Sequence, residues 1–309
     1  MKAVRYHQYG DESVLQHEEA EQPTAGQGEV LVRVAATAFN PVDVAIRAGY
    51  LSSAFSVSFP HVPGFDVAGT VVGVGDGVTA FRSDDEVIGF LPMDRDGAAA
   101  EFVAAPADLL VTAPLRVALS DAAALPSAGL TAYQALHEHA GIQPGQRLLV
   151  NGAGGSVGGL AVQLAEEAGA AVTAVVGPDD VDRVRRYGAD RLVDRTQARV
   201  SDAVDVPVDA VLNLAPVGPA DVAALMARIR PGGVYVTTVP GPPVEPVGDV
   251  RAVSMFVRSD AAQLAGLVAR VDAGRLQVRV TETLPLGQLA SVHARSAAGQ
   301  LHGKVVLVP

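Results

Sequence analysis

Two different periods of apolar residues divide this chain. Up to about residue 120 the apolar positions fall in short runs, at 29–35 (EVLVRVA), 67–74 (VAGTVVGV), 85–90 and 101–104, separated by glycine- and proline-bearing turns. Runs of that length and alternation read as strands, and their spacing predicts a compact, partly open β-barrel. Beyond residue 120 the pattern changes. A helical stretch at 121–139 leads through Gln143-Pro144-Gly145 into strands at 148–150, 171–176, 191–193, 209–214, 233–239 and 252–257, with helices at 179–187, 219–229 and 260–273 between them. Strands alternating with helices predict a doubly wound, parallel α/β sheet. The tail from 278 to 309 returns to extended segments around a helix at 286–298. The expected organisation is therefore a first domain of residues 1–120, completed by 275–309, and a second of 121–274. No internal repeat or low-complexity linker interrupts them.

The most informative segment is 147–169, RLLVNGAGGSVGGLAVQLAEEAG, where an apolar strand stops in a glycine turn and resumes as an amphipathic helix. Gly152, Gly155 and Gly158 would let backbone approach a pyrophosphate where a Cβ would collide. The opening of the helix, at Ser156 and Val157, offers unpaired N–H groups and the positive end of a helix dipole, so an anion can bind without a lysine in the loop. The spacing is GxxGxxG rather than GxGxxG. A second strand from residue 171 completes a strand, turn, helix and strand within about thirty residues, the context a dinucleotide fingerprint requires. The alternative is a glycine-rich helix start that serves packing alone.

Composition narrows the classes of function. At 309 residues and 49% apolar, the chain has material for two hydrophobic cores. Its net charge of −11 argues against a nucleic-acid partner, which needs clustered lysine and arginine. With no cysteine in the sequence, disulfides, thiolate zinc sites and a cysteine nucleophile are excluded. The segment MKAVRYHQYG lacks the apolar core of a signal peptide, and nowhere do about eighteen apolar residues run uninterrupted. A cytoplasmic protein without a membrane partner is expected.

Several segments, in order, resemble a family: GEVLVRVAATAFNPVDVAIRAG at 28–49, PHVPGFDVAGTVVGVGDGVTAF at 60–81, ALPSAGLTAYQAL at 124–136, the glycine turn, and HGKVVLVP at 302–309. They are similar to the medium-chain dehydrogenase/reductases and, within them, to the zinc-independent quinone oxidoreductase branch, over nearly the whole chain. The resemblance implies a GroES-like catalytic domain, a Rossmann domain and a cleft separating them. Zinc-dependent members hold their metal with a Cys, a Gly-His-Glu segment and a further Cys or Asp. Here the corresponding segment reads Gly64-Phe65-Asp66, and Asn40-Pro41-Val42-Asp43 stands in the region of the first cysteine, so no soft ligand remains and no metal is expected. His137 and His139, two apart on a helix, point to different faces, and His61 reads as polar loop surface.

Without a Lewis acid to hold an alkoxide, hydride transfer to a quinone or an enone is the better chemistry, because the electron sink is built into the acceptor. The resemblance implies Asn40 beside the nicotinamide, Thr131 beneath it and Tyr50 at a substrate-contacting position. Asn40 would otherwise cap a turn before Pro41, Tyr50 would be a surface aromatic, and Asp43 would buttress Asn40 or begin a helical turn. NADPH is the cofactor the family implies. Yet the loop after the second Rossmann strand reads Gly177-Pro178-Asp179-Asp180, and carboxylates beside a 2′-phosphate would favour NADH unless they merely cap a helix. Arg183, Arg186 and Arg195 are cations close to that loop in sequence. Further cofactor contacts are expected from Leu214, from Val239 with Pro240, from Phe256 and from Lys304, which would reach the cofactor or a carboxylate. Two other readings stand beside quinone reduction: an enone or enoyl-thioester reductase in a biosynthetic pathway, and a catalytically silent module that holds a cofactor. The apolar strand at 233–238, placed near a sheet edge, predicts a homodimer.

Overall fold

The computed structural model describes residues 1–197, 200, 204–239, 241 and 244–309, so that Pro240 lies outside the described residues. The chain folds as two compact units, Met1–Ser127 with Ser259–Pro309, and Ala128–Arg258.

The first unit opens with an antiparallel pair, β1 (Lys2–Arg5) and β2 (Gln16–Glu19). It continues through β3 (Glu29–Ala38), helix α1 (Pro41–Arg47), β4 (Asp66–Val74), β5 (Glu86–Phe90), β6 (Phe102–Pro106), β7 (Leu110–Thr112) and the short helix α2 (Leu119–Ala122). β3 is the organising strand. Val30, Val32, Val34 and Ala36 are buried on one face, while Glu29, Leu31 and Arg33 are less buried on the other, the period of two that its sequence shows. β4 runs antiparallel along its whole length, and β6 takes the opposite side from Glu29 to Arg33.

Helix α3 (Pro126–Tyr133) crosses the division between the units and continues as a π-helical stretch, Gln134–Ala140, that ends on Gly141 in the left-handed region (φ 64°). The single helix expected at 121–139 is therefore broken. Pro126 has no N–H to give an earlier carbonyl, so it begins a helix rather than continuing α2.

The second unit carries β8 (Arg147–Asn151), α4 (Ser156–Glu167), β9 (Ala171–Val176), α5 (Val181–Arg186), β10 (Arg191–Asp194), β11 (Val208–Asn213), α6 (Pro219–Met226), β12 (Ile229–Thr237) and β13 (Arg251–Ser254). All six strands are parallel in the order β10-β9-β8-β11-β12-β13, the doubly wound order in which the direction of winding reverses between β8 and β11. Leu149, Val175, Val211, Leu225, Met226 and Tyr235 form part of its core. Each such side chain contributes about 1.5–3 kcal/mol by leaving water. β13 is one edge strand and β10 the other, so the apolar segment at 233–238, nearly all of it in β12, lies one strand in from an edge. The last segments, α7 (Ala261–Asp272), β14 (Glu282–Pro285), α8 (Leu289–Ala297) and β15 (Val305–Val308), belong to the first unit. α7, grouped with the second domain by its place in the βα alternation, packs against β7 instead. β15 pairs antiparallel with the end of β3, Val306 facing Ala38.

Candidate functional site

Three segments far apart in sequence meet at the end of β3. Register places Asp66, the first residue of β4, beside Ala38, while the pairing of Val306 with Ala38 brings Lys304 to the other flank. Asn40 follows directly as the N-cap of α1. Its side-chain Nδ2 donates to Asp66 Oδ2 at 2.9 Å and to the Ala38 carbonyl at 3.2 Å. Its Oδ1 accepts from Lys304 Nζ at 2.6 Å and lies 3.0 Å from Ser127 Oγ, whose proton goes to Asp66. An ammonium can only donate and a carboxylate can only accept, so the orientation of the amide is fixed by its neighbours. Both of its N–H groups and its side-chain oxygen are then engaged. At the start of α1 the Asn40 backbone N–H is taken by the Asp43 carboxylate at 2.9 Å, as in a capping box. Asp43 buttresses Asn40 from behind.

The charges in this cluster are buried. Asp66 is 0% and Lys304 4% exposed, and they pair at 3.2 Å. Asp66 also accepts from the Ser127 N–H at 2.7 Å and from Ser127 Oγ at 2.6 Å. Asp43 has no cation of its own. Burial, and next the nearby Asp66 charge, push its carboxyl up to about 7, against the lowering effect of Lys304 and of N–H donors from Asn40 and Gly64. Lys304 thus reaches a carboxylate, one of the two roles its sequence position suggested.

In the second unit the glycine turn stands at the point where the strand order reverses. Gly152 takes φ 89°, which an L side chain rarely adopts, and a Cβ there would press at 3.3 Å on Leu214 and Ala215 of the loop after β11. A Cβ on Gly158 would collide with the Gly152 carbonyl, so this glycine serves the close packing of helix on turn rather than approach by a phosphate. Gly155 differs from both. A Cβ there would meet only the Gly152 oxygen, at 3.4 Å, so the protein leaves that side open. Gly159 is the first N–H to bond back to Gly155, so the N–H groups at Ser156, Val157 and Gly158 begin the helix without intrahelical acceptors. The turn therefore fits the phosphates of a dinucleotide.

In the loop after β9 one of the two acids is paired with a base. Asp180 makes no capping hydrogen bond to α5; it pairs with Arg183, whose Nη2 also donates to the Gly154 carbonyl at 2.7 Å. The Arg183 guanidinium lies over the Tyr187 ring, 5.5 Å from its centre. Arg183 is thus bound into the glycine turn. Arg195 lies across Gly177 at the end of β9, its Nε 3.7 Å from where a Cβ would sit.

The end of the sheet carries a polar row that the sequence reading did not single out. Asn151, Asn213 and Thr237 occupy one register across β8, β11 and β12, and all three are buried. Asn151 Nδ2 donates to Asn213 Oδ1 at 2.7 Å, and Asn213 Nδ2 to Thr237 Oγ1 at 3.4 Å. Thr237 Oγ1 in turn donates to the Asn213 carbonyl and accepts from the Val239 N–H, both at 3.1 Å. The signal was present as a polar residue closing each apolar run.

The other expected site residues take their places each within its own unit. Thr131 is buried on α3 within the second unit, and Phe256 is half exposed after β13. Leu214 donates its N–H to the Asn151 carbonyl. Tyr50 stands beyond the far end of α1 from Asn40, 82% exposed. His61 is not polar surface. Reciprocal backbone bonds to Tyr6 hold its ring edge-on to the Tyr6 ring at 5.2 Å, and burial pushes its imidazole below the usual range. Among the described residues no group of three His, Cys, Asp or Glu side chains is gathered as a metal site would require, and no helix is long and apolar enough to cross a membrane.

Residues 26–115 match the family described as alcohol dehydrogenase GroES-like domain, and residues 187–307 the one described as zinc-binding dehydrogenase. The chloroplast envelope quinone oxidoreductase homolog of Arabidopsis thaliana is 33% identical over 326 residues, spanning 100% of this chain and 98% of that protein. An NADPH-dependent alkenal/one oxidoreductase, chloroplastic, of the same plant is 32% identical over 321 residues, spanning 100% of this chain and 80% of that protein. Among solved structures, the quinone oxidoreductase from Coxiella burnetii superposes with a TM-score of 0.88 at 26% identity, over 100% of this chain and 99% of that one.

Proposed function

Because this chain belongs to the medium-chain dehydrogenase/reductase superfamily, in its zinc-independent quinone oxidoreductase branch, we propose that it is an NADPH-dependent reductase of quinones or enones. The observation that carries this reading is the glycine turn at the reversal of strand order, with Gly155 open and the α4 N–H groups unclaimed. A nicotinamide cofactor held there supplies the hydride. The chain's own part is to bind it, to hold the acceptor and to steady the charge that forms on the acceptor's oxygen. Ser156, Val157 and Gly158 offer N–H groups to the pyrophosphate, as the positive end of α4 favours.

In the first unit, Asn40 is the residue proposed to meet the acceptor oxygen. Lys304 polarises the amide through Oδ1, which makes its Nδ2–H groups better donors. The bond to the Ala38 carbonyl is the longer of the two that Nδ2 makes, and it is the one that an oxygen gaining negative charge would take over. Lys304 and Ser127 act through Asn40 and are positioning residues.

The choice of NADPH rests on the loop after β9. The Asp180 charge is already answered by Arg183, which leaves Arg195 beside Gly177 as the cation for a 2′-phosphate. The relative named as NADPH-dependent supports the same choice. β13, an edge strand of the parallel sheet, supports a homodimer within the same proposal.

The test is NADPH oxidation, followed at the nicotinamide absorbance, with a simple benzoquinone and with an open-chain enone. Asn40→Ala is expected to lower turnover by about 10²-fold while leaving cofactor affinity nearly unchanged. Unchanged turnover removes Asn40 from the mechanism. Absence of NADPH binding by the wild-type chain sinks the whole reading, and a preference for NADH of about tenfold or more reverses the choice of cofactor.

A further inference from the structure

The polar row at the end of the parallel sheet has no obvious role in stability. Three polar side chains with apolar strands behind them are costly to bury, and they contribute only if every member is bonded. Asn151, Asn213 and Thr237 achieve this in one register, at the carboxyl ends of the three central strands β8, β11 and β12. The backbone continues the pattern. The Leu214 N–H donates to the Asn151 carbonyl, Thr238 to Asn213 and Met255 to Thr237, so each strand's last residue receives the first N–H of the neighbouring loop. The three loops that leave this row are the glycine turn, the segment beginning at Leu214 and the segment beginning at Thr238. In a doubly wound sheet these are the loops that face a bound dinucleotide.

Thr237 is the pivot. Its hydroxyl donates to the Asn213 carbonyl and accepts from both Asn213 Nδ2 and the Val239 N–H. With that N–H spent, Val239 can offer only its carbonyl to a ligand, an acceptor suited to the NH2 of a nicotinamide carboxamide. We infer that Asn151, Asn213 and Thr237 form a positioning row for the nicotinamide half of the cofactor, holding Val239 so that its carbonyl alone is presented. The inference rests on the dinucleotide reading above. It adds residues that touch no substrate and act through the loops they hold.

The experiment compares two ligands on the intact protein. NADPH is titrated by its fluorescence, and adenosine 2′,5′-bisphosphate, which carries only the adenosine half, by calorimetry. Thr237→Val keeps the shape and removes the hydroxyl; it is expected to weaken NADPH by about tenfold and the bisphosphate by less than about threefold. Thr237→Ser, which restores the hydroxyl, is expected to bind both as the wild type does. Equal weakening of both ligands, or no weakening of either, overturns the inference while leaving the dinucleotide reading in place. Should the wild type bind neither ligand, that reading falls and takes the row with it. If Thr237→Val does not fold, Asn151→Ala is put through the same two titrations, and an unchanged ratio of the two affinities overturns the proposal.

Discussion

Replacing His293 with asparagine should change how the stability of this protein depends on pH, and the size of the change follows from the structure. His293 is 0% exposed on α8, packed edge-on against Phe39 at 5.0 Å. Arg47, itself buried on α1, donates to its Nδ1 at 3.2 Å. That bond requires a neutral imidazole. Burial first, and the Arg47 charge second, push the imidazole down to about 3 from an ordinary 6.5. The folded pKa lies below the unfolded one, so the unfolded chain binds the proton more tightly throughout that window. The contribution of His293 is then complete well above pH 6.5 and is lost as the pH falls below it, at a rate approaching about 1.4 kcal/mol per unit. Between about pH 6.5, where half of the unfolded chains already carry the proton, and about pH 4.5 the loss amounts to about 2.3 kcal/mol.

The wild-type curve alone would obscure this, because Asp43 titrates with the opposite sign. Its carboxyl is raised from 3.8 to about 7, so its contribution is present below 3.8 and fades as pH rises through 7. A difference between two proteins removes Asp43 from the comparison. The asparagine of the His293→Asn variant can place its Oδ1 near the former Nδ1 and keep an acceptor for Arg47, yet it does not titrate. Urea unfolding of both proteins, followed by far-ultraviolet circular dichroism at several pH values, gives the difference directly. A constant offset from the lost ring contact with Phe39 is expected, and it does not affect the slope. The wild type should lose about 2.3 kcal/mol relative to the variant on going from about pH 6.5 to about 4.5. A difference that stays flat across that range refutes the argument that a buried neutral imidazole serves Arg47.

Other substitutions probe the site itself. Lys304→Met strands the Asp66 carboxylate in an apolar setting and should cost about 3–5 kcal/mol in urea unfolding, with much of it regained in the Lys304→Met, Asp66→Asn double variant. Gly158→Ala drives a methyl into the Gly152 carbonyl and should abolish detectable NADPH binding in a fluorescence titration, whereas Gly155→Ala should fold normally and weaken binding only. Tyr6 is fully buried with a hydroxyl that finds no hydrogen-bond partner among the described residues, so Tyr6→Phe should match or exceed the wild type in thermal stability. Arg195→Ala should raise the KM for NADPH by about tenfold and leave that for NADH unchanged in initial-rate assays.

What could be read from the sequence was whatever depends on neighbours in the chain. The run Ala171–Val176 and the glycine turn announce themselves locally, because period, turn chemistry and helix start all lie within a few residues. β3 was legible for the same reason, down to which face is buried. Pro126 is visible too, and its missing N–H is what breaks the helix expected at 121–139. The site was harder. Asn40 and Lys304 were each identifiable, but nothing in the order of residues joins them across 264 positions, and the register of β3 with β4 and β15 does. Asp66 was read only as a departure from a zinc-binding segment, although it is the carboxylate that holds Asn40, Ser127 and Lys304 together. Asn151, Asn213 and Thr237 look unremarkable one at a time. They become a row only when three strands lie side by side.

The distance in sequence between Asn40 and Lys304 also governs when this buried cluster can be completed. A chain emerging from the ribosome would have made β3, β4 and α1 long before residue 304 leaves the exit tunnel, and until β15 docks, Asp66 and the Asn40 amide have no cation beside them. A molecule clipped before residue 304 is therefore expected to leave the Asp66 carboxylate buried without its cation, however well the parallel sheet has folded.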